Sequence, residues 1–214
     1  MKRAFTLIEL IFVLVIVGIL SSIMLPKLSN TSLQKAAQQI LFHIRYTQHL
    51  ALIDNRYDPK DQTWYKTRWQ MLFGKNTGSN DLWQYTIFSD YAGTHTGNPD
   101  PKEIAKNPLN PQQYLTGGTS GNLLIKFTDP NATKELNIGH EYDIQDITFT
   151  HCGRAKRVIF DSLGRPVTGN TATYTKPYMQ TRVLKKTCEI KLTDSDNEII
   201  TIFIEPETGY AHIK

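Results

Sequence analysis

The sequence is poor in cysteine and lacks the motifs of common enzymes. Only two cysteines, Cys152 and Cys188, occur among the 214 residues, so the chain forms at most one internal disulfide. No Gly-x-Ser-x-Gly elbow, Walker loop, His-Glu-x-x-His pair or dinucleotide fingerprint is present. We therefore identify no catalytic residue and expect neither a cofactor nor a catalytic metal.

The chain also lacks strong net charge and internal repeats. Its formal charge is +4, whereas a dedicated nucleic-acid binder usually shows a concentrated basic patch. This charge permits an anionic partner without requiring one. No heptad pattern or low-complexity tract appears, and the length suits one anchor plus one globular domain that buries its own core.

Charge is almost absent from the N-terminal segment. Between residues 5 and 25 the only charged residue is Glu9. As a helix this run is about 31 Å long at 1.5 Å per residue, enough to cross a bilayer core. Lys2 and Arg3 precede it, so the positive-inside bias predicts a cytoplasmic N-terminus and an exported remainder. We expect a transmembrane helix at residues 5–25 and a periplasmic head.

Two simpler interpretations of this segment exist. A secretory signal peptide usually has a shorter apolar core that ends in a small-x-small cleavage site. The stretch Ser21-Ser22-Ile23 offers no convincing site of that kind. A plain single-pass anchor remains open on these grounds alone.

Glu9 is the unusual residue of the apolar run. A carboxylate in a membrane span costs a few kcal/mol and is by default a functional group with a partner. Cleavage between Ala4 and Phe5 would create a new α-amine at the membrane edge. That amine would pair with Glu9 of its own chain or, better, of a neighbouring subunit. In a low-dielectric setting this pair is strong and sets a definite axial stagger.

The stretch Phe5-Thr6-Leu7-Ile8-Glu9, behind its short basic leader, resembles the prepilin cleavage and methylation motif of type IV pilins and type II secretion pseudopilins. The resemblance implies that prepilin peptidase removes residues 1–4 and N-methylates Phe5. It further implies three partners, namely other pilin or pseudopilin subunits, an inner-membrane assembly platform and the lipid bilayer. Gly18 and Pro26 fall where many family members carry Gly and Pro. The family usually has Gly before the cut, where this chain has Ala4.

A second helical pattern follows Pro26, which ends or kinks the first helical segment. Apolar or small residues recur at three- and four-residue steps, at Leu33, Ala37, Ile40, Ile44, Thr47 and Ala51, widened by Leu41 and Leu52. This stripe predicts a stem helix over residues 26–55 that packs on a sheet. His43 and His49 are six residues apart and therefore lie on different faces, which favours surface or packing roles over a metal pair.

Beyond the stem the signals indicate strands. Runs rich in aromatic and β-branched residues occur at Thr67–Phe73, Leu82–Phe88, Leu123–Phe127, Ile147–Cys152, Arg157–Phe160, Cys188–Leu192, Ile199–Ile204 and Tyr210–Ile213. Residues 91–121 have the composition of a long polar loop. The order of elements predicts an α+β, pilin-like fold, in which a long N-terminal transmembrane and stem helix packs on a mainly antiparallel β-sheet head at residues 56–214.

Scattered motifs in the head resemble one subgroup. The segments Val158–Pro166 and Glu205–Tyr210, with weaker support from Ile44–Gln48, are similar to those of the H-type minor pseudopilins and related minor pilins. The resemblance implies a minor subunit of a type II secretion pseudopilus or a type IV pilus. A generic β-turn at each glycine would also explain these segments.

Export would place the two cysteines where disulfides persist, so we expect a Cys152–Cys188 bridge, with two buried free thiols as the alternative. Six basic residues flank the cysteines, namely Arg154, Lys156, Arg157, Arg182, Lys185 and Lys186. Once the bridge forms they would share one face. An ordinary solvated surface is one interpretation of that face. The other is polyanion binding, as in a DNA-binding minor pilin of a natural-transformation pseudopilus.

Carboxylates alternate at Asp194, Asp196 and Glu198 and offer oxygens to a cation such as Ca²⁺. The spacing lacks the glycine and the distal glutamate of an EF-hand loop. We therefore favour a solvated hairpin turn and predict no metal site.

Overall fold

In the computed structural model, residues 6–24, 30–54, 56–92, 94–121 and 124–214 are described. Two helices come first, α1 at Leu7–Met24 and α2 at Asn30–Ile53. Ala4, Phe5 and Pro26 lie outside the described residues, so the predicted cleavage site and helix kink stay predictions. The predicted boundaries of leader, anchor, stem and head stay predictions as well.

In the rest of the described chain, the regular secondary structure is mainly antiparallel strands. They are β1 (Trp69–Gly74), β2 (Gln84–Ser89), β3 (Lys106–Asn107), β4 (Asn110–Tyr114), β5 (Ile144–Thr150), β6 (Arg157–Phe160), β7 (Pro166–Val167), β8 (Cys188–Asp194), β9 (Ile199–Ile204) and β10 (Ala211–Ile213), with a short helix α3 (Ile138–Glu141) before β5. One sheet has the order β2-β1-β6-β7, a second has the order β10-β9-β8-β5, and β3 pairs with β4. Every strand pair is antiparallel, which confirms the predicted α+β class with antiparallel sheets and an N-terminal helix.

Among the described residues, no helix combines the length and the apolar character needed to cross a membrane.

Helix α2 forms the centre of the head. Its buried stripe is Leu33, Ala36, Ala37, Ile40, Ile44, Thr47 and Ala51, each at most 4% exposed. This stripe contacts β1 and β6 of the first sheet and β8, β9 and β10 of the second. Fully burying one isoleucine or leucine contributes about 1.5–3 kcal/mol, so the helix is a major part of the core. The predicted spacing therefore identified the correct face, although Leu52 is exposed.

The hairpin of β1 and β2 shows how local sequence sets the register. Asn76 caps a short 3₁₀ turn at Thr77–Ser79, because its side chain accepts from Ser79 N while the Ser79 side chain accepts from Asn76 N. Asn80 then takes φ +56°, a left-handed conformation that asparagine tolerates. The pairing runs from Trp69 opposite Ser89 to Gly74 opposite Gln84.

Two interpretations of the middle of the chain are wrong. Residues 124–127, predicted as part of a strand, are not in a strand; Ile125 is buried there and its carbonyl accepts from Thr119 N. Residues 91–121, predicted as a loop, contain the β3–β4 hairpin. Strand β4 has the sequence NPQQY, which lacks the apolar alternation that predicts a strand.

Candidate functional site

The described N-terminal segment places Glu9 in the first turn of α1. The backbone N–H and the hydroxyl of Thr6 both donate to one Glu9 carboxylate oxygen at 2.9 Å, and Glu9 N donates to Thr6 Oγ1 at 3.4 Å. This is a capping box, in which a threonine and a glutamate three residues later satisfy each other's backbone groups. The pattern Thr-x-x-Glu signals this capping box in sequence, and it gives Glu9 a second role beside the predicted ion pair.

The surface of α1 is apolar and uncovered within the described fold. All described side chains from residue 6 to residue 20 are exposed, including Leu7 at 77% and Phe12 at 67%. Contiguous apolar surface of this extent marks a protein or membrane interaction site. The helix therefore presents a surface suited to contact with other molecules.

The segments that carried the subgroup resemblance meet at the stem helix. Gln48 Nε2 donates to the Gly164 carbonyl and to the Thr208 carbonyl, both at 2.8 Å. A Cβ on Gly164 would approach Leu52 of the same helix at 3.2 Å. Arg45, one turn earlier, donates from Nη2 to the Ala211 carbonyl at 2.8 Å. Three stretches that are distant in sequence therefore form one junction.

Asp161 shapes the turn that reaches this junction. Its Oδ1 accepts from Leu163 N and Arg165 N at 3.0 Å each, and its Oδ2 accepts from Arg165 Nε at 2.9 Å and from Nη2 at 2.8 Å. Asp161 is only 6% exposed, so these bonds compensate for burying its carboxylate. Gly164 takes φ +75° and completes the turn.

Cys152 and Cys188 form a disulfide with a Cα–Cα distance of 4.6 Å. Cys152 follows β5, whereas Cys188 begins β8, and these two strands are neighbours in the second sheet. The bridge therefore fixes the start of the segment 153–187 close to its end.

Four of the six predicted basic residues line two clefts beside the disulfide. Arg154 and Lys156 line one cleft of about 470 Å³. Lys185 and Lys186 line another of about 470 Å³, together with His151. Gly153 lines both clefts, so they adjoin each other across the loop that follows β5.

The other two predicted cations do not contribute to this surface in the same way. Arg157 is 7% exposed and donates from Nη1 to Gln70 Oε1 at 2.6 Å. Burial lowers the pKa of Arg157, and the charge of Asp90 opposes that shift. Its interpretation as a surface cation is corrected, because its side chain is buried and bonded to Gln70 on β1. The guanidinium of Arg182 stacks over Tyr174, 5.5 Å from the ring centroid.

The two stem histidines are separated, as their spacing predicts. His43 is buried and its Nδ1 lies 2.6 Å from Tyr85 Oη, whereas His49 is exposed. Burial lowers the pKa of His43 to about 4. Gln39 Nε2 donates to the same Tyr85 oxygen at 2.9 Å, so the tyrosine hydroxyl proton is left to donate to a neutral His43.

The acidic turn at Asp194 uses its carboxylate internally. Asp194 Oδ1 accepts from Asp196 N at 3.0 Å and from Glu198 N at 2.9 Å. Across the part of the chain that the structure describes, no group of three or more His, Cys, Asp or Glu side chains is arranged to hold a metal ion.

Residues 1–25 match the family model of the prokaryotic N-terminal methylation motif. This match indicates a type IV pilin-like subunit and supports the resemblance to type IV pilins and pseudopilins. Such a subunit is a membrane-anchored component of a filament. No curated protein and no solved structure matches the chain.

Proposed function

We propose that the chain is a minor pilin or pseudopilin subunit, most similar to the H-type. In this proposal, prepilin peptidase removes residues 1–4 and N-methylates Phe5. Residues 5–25 enter the inner membrane, residues 26–55 form the stem, and residues 56–214 form the periplasmic head. The subunit acts by assembly into a type II secretion pseudopilus or a type IV pilus, on an inner-membrane platform, and not by catalysis.

The observation that carries the proposal is the combination of the N-terminal motif with the helix that follows it. Residues 1–25 match the methylation motif, and the helix that follows them is the core of an antiparallel head. A helix with one end in the core of a folded head and an exposed apolar segment before it suits a subunit that packs beside copies of its class. The junction of Gln48 with the two head turns supports the H-type assignment, because both turns carry that resemblance.

Assembly would use the charge at the start of α1. After cleavage, the amine of Phe5 lies one residue before Thr6, which holds the Glu9 carboxylate. A neighbouring subunit's amine that approaches Glu9 in an apolar surrounding gains a strong attraction, since few water molecules screen the pair. The capping bonds of Thr6 keep the carboxylate oriented before that partner arrives.

Mass spectrometry tests the processing step. The full chain is expressed in cells with an active prepilin peptidase and extracted from membranes, and cells without the peptidase are the control. The expected species starts at N-methyl-Phe5, and the control retains Met1. An Ala4→Gly variant is expected to be processed at least as completely. An intact Met1 terminus in peptidase-positive cells would contradict the proposal.

The basic clefts favour a second candidate, a DNA-binding minor pilin. Arg154, Lys156, Lys185 and Lys186 line two adjoining clefts, and only Asp146 among the lining residues carries a negative charge. A polyanion that follows both clefts would release counterions, which makes its affinity fall steeply with salt.

Filter binding of a DNA duplex at several salt concentrations tests this candidate. The double variant Lys185→Ala/Lys186→Ala is expected to weaken binding and to reduce the salt slope by about 2. Lys35→Ala, on the exposed face of α2, is the matched control. Equal salt slopes for the double variant and the wild type would contradict DNA binding at the clefts.

A further inference from the structure

The first sheet carries a cleft of about 370 Å³ on the side opposite α2. Its floor is Leu72 on β1 and Gln84 and Thr86 on β2. Thr86 lies opposite Leu72, and Gln84 is two residues away on the same face, whereas Tyr85 points the other way into the core with α2. The cleft is therefore independent of the stem contacts and of the two basic clefts.

A chain of hydrogen bonds fixes one floor residue, Gln84. Gly118 N donates to Thr116 Oγ1 at 3.2 Å, Thr116 Oγ1 lies 2.7 Å from Thr86 Oγ1, and Thr86 Oγ1 donates to Gln84 Oε1 at 3.1 Å. If Thr116 donates to Thr86, each hydroxyl in this chain donates once and accepts once. The carbonyl end of the Gln84 amide is then held by the protein.

The other end of that amide has no partner within the described residues. Gln84 is 3% exposed, and its Nε2 makes no hydrogen bond to any described residue, yet it is not among the atoms sealed from solvent. It therefore opens into the cleft. A ligand oxygen in the cleft would accept a hydrogen bond from this donor, whose orientation is already set by the bonds at the other end of the amide.

One wall of the cleft is held tightly to the hairpin below it. Gly118 has φ +131°, and a Cβ on Gly118 or on Gly78 would overlap the backbone of the facing segment. Asn76 Nδ2 also donates to the Gly118 carbonyl at 3.1 Å. These contacts fix the wall at Gly118 against the β1–β2 turn, so this part of the cleft is formed before any ligand binds.

The lining indicates the chemistry of the ligand. Hydrogen-bonding side chains stand on both sides, with Thr96, Asn98 and Asp100 on one wall and Ser120 on the other. Asp100 is the only charged lining residue, so the cleft disfavours anions, and a purely apolar ligand would leave Gln84 Nε2 unpaired. The volume lies near the lower end of the range for small-molecule sites.

We propose that this cleft binds a neutral saccharide unit. A sugar ring carries hydroxyl groups around its edge, so it offers acceptors to Gln84 and Asn98 and donors to Asp100 at the same time. Its C–H faces suit Leu72 and Pro99. A free sugar and a residue of an envelope glycan share this chemistry.

Ligand-observed NMR on the full chain in detergent tests the proposal. The probes are methyl β-glucoside, methyl β-galactoside and N-acetylglucosamine, each up to about 10 mM, with N-acetylglycinamide as a peptide probe and inorganic phosphate as an anion probe. At least one saccharide is expected to bind, and the peptide and phosphate probes are not. Tighter binding of a disaccharide than of its monosaccharide indicates a glycan source, and equal binding indicates a free sugar.

Variants locate the binding to this cleft. Gln84→Met removes the free donor and is expected to weaken the saccharide at least tenfold, whereas Gln112→Met on the exposed strand β4 leaves it unchanged. Asn98 is exposed, so Asn98→Ala should weaken saccharide binding several-fold without changing the melting temperature. This variant tests the cleft if Gln84→Met fails to fold. The proposal is overturned if no saccharide binds, if the peptide or phosphate probe binds instead, or if Asn98→Ala and Gln84→Met both bind like the wild type.

Discussion

The carbonyl oxygen of Gly164 lies 2.7 Å from the point that a Cβ on Gly209 would occupy. The same point is 2.6 Å from Gln48 Nε2, and Gly209 has φ +65°. Any larger residue at this position would meet two hydrogen-bonded groups in a backbone conformation that disfavours side chains. The turn before β10 and the turn after β6 meet at the stem helix because residue 209 is glycine.

Gly209→Ala is expected to lower the free energy of unfolding by about 1–3 kcal/mol, since it combines backbone strain with steric overlap. Urea denaturation followed by circular dichroism measures the change. Gly74→Ala is the matched control, because a Cβ at Gly74 has no atom within 4 Å. Equal losses in both variants would show that the junction at Gly209 is unimportant.

Gln48→Ala is expected to destabilise the head by about 1–3 kcal/mol, because two carbonyl groups lose their shared donor. Gln38→Ala, at an exposed position of the same helix, should change stability little. The losses from Gln48→Ala and Gly209→Ala are expected to be non-additive, since the two residues are in contact. Strict additivity in the double variant would contradict one shared junction.

His43 makes the stability of the head sensitive to acid. Its pKa is about 4 in the folded chain and near 6.5 when solvated, so the unfolded chain binds the proton more tightly. The stabilisation is fully present above about pH 6.5 and falls by about 3 kcal/mol as the pH approaches 4. Melting temperatures at several pH values follow this loss. His43→Gln should reduce the fall in melting temperature between pH 6.5 and 4, whereas His49→Gln should not. An unchanged fall in His43→Gln would show that His43 is not the group responsible.

The disulfide is expected to supply much of the head's stability. Cys152 and Cys188 are 36 residues apart, for which chain entropy gives about 3–4 kcal/mol. Cys152→Ser should lower the melting temperature and, if the basic clefts bind DNA, weaken that binding too. Labelling the denatured, unreduced protein with a thiol reagent checks the bridge itself, and two labelled cysteines per chain would rule it out.

Glu9 and Thr6 are expected to act differently in assembly. Glu9→Leu should insert into the membrane at least as well as the wild type, since a charge is removed from the apolar run. Its incorporation into filaments of wild-type subunits should drop strongly, because the partner of the Phe5 amine is lost. Thr6→Val removes only an orienting hydroxyl, so its incorporation should fall less. Immunoblots of sheared filaments measure both, and normal incorporation of Glu9→Leu would refute the pairing.

The helices and the longer hairpins could be predicted because their signals are local. The stripe from Leu33 to Ala51 predicted the buried face of α2, and the run Ile199–Ile204 matches β9. The first pattern has the helical period, and the second is a short run rich in β-branched residues, so tertiary context only reinforces them. The Thr6–Glu9 capping box is equally local and could also have been found.

The junctions could not be predicted because they depend on contacts between distant residues. The sequence around Arg157 does not predict that Gln70 will accept a hydrogen bond from its guanidinium. Likewise, the sequence around Gln48 does not predict that the carbonyl groups of Gly164 and Thr208 will be its acceptors. Strand β4 forms through pairing with β3 and has no apolar periodicity of its own. Likewise, the hydroxyl chain that holds Gln84 joins residues from two separate segments.

The order in which the core is completed constrains how the protein matures. Helix α2 ends at Ile53, yet two of the strands that cover its buried stripe, β9 and β10, begin only at Ile199 and Ala211. During synthesis, the part of the stripe that β9 and β10 cover stays open to solvent until those strands emerge. A nascent stem is therefore vulnerable to aggregation or proteolysis for most of translation, and an early chaperone contact on Ile40 and Ile44 would protect it.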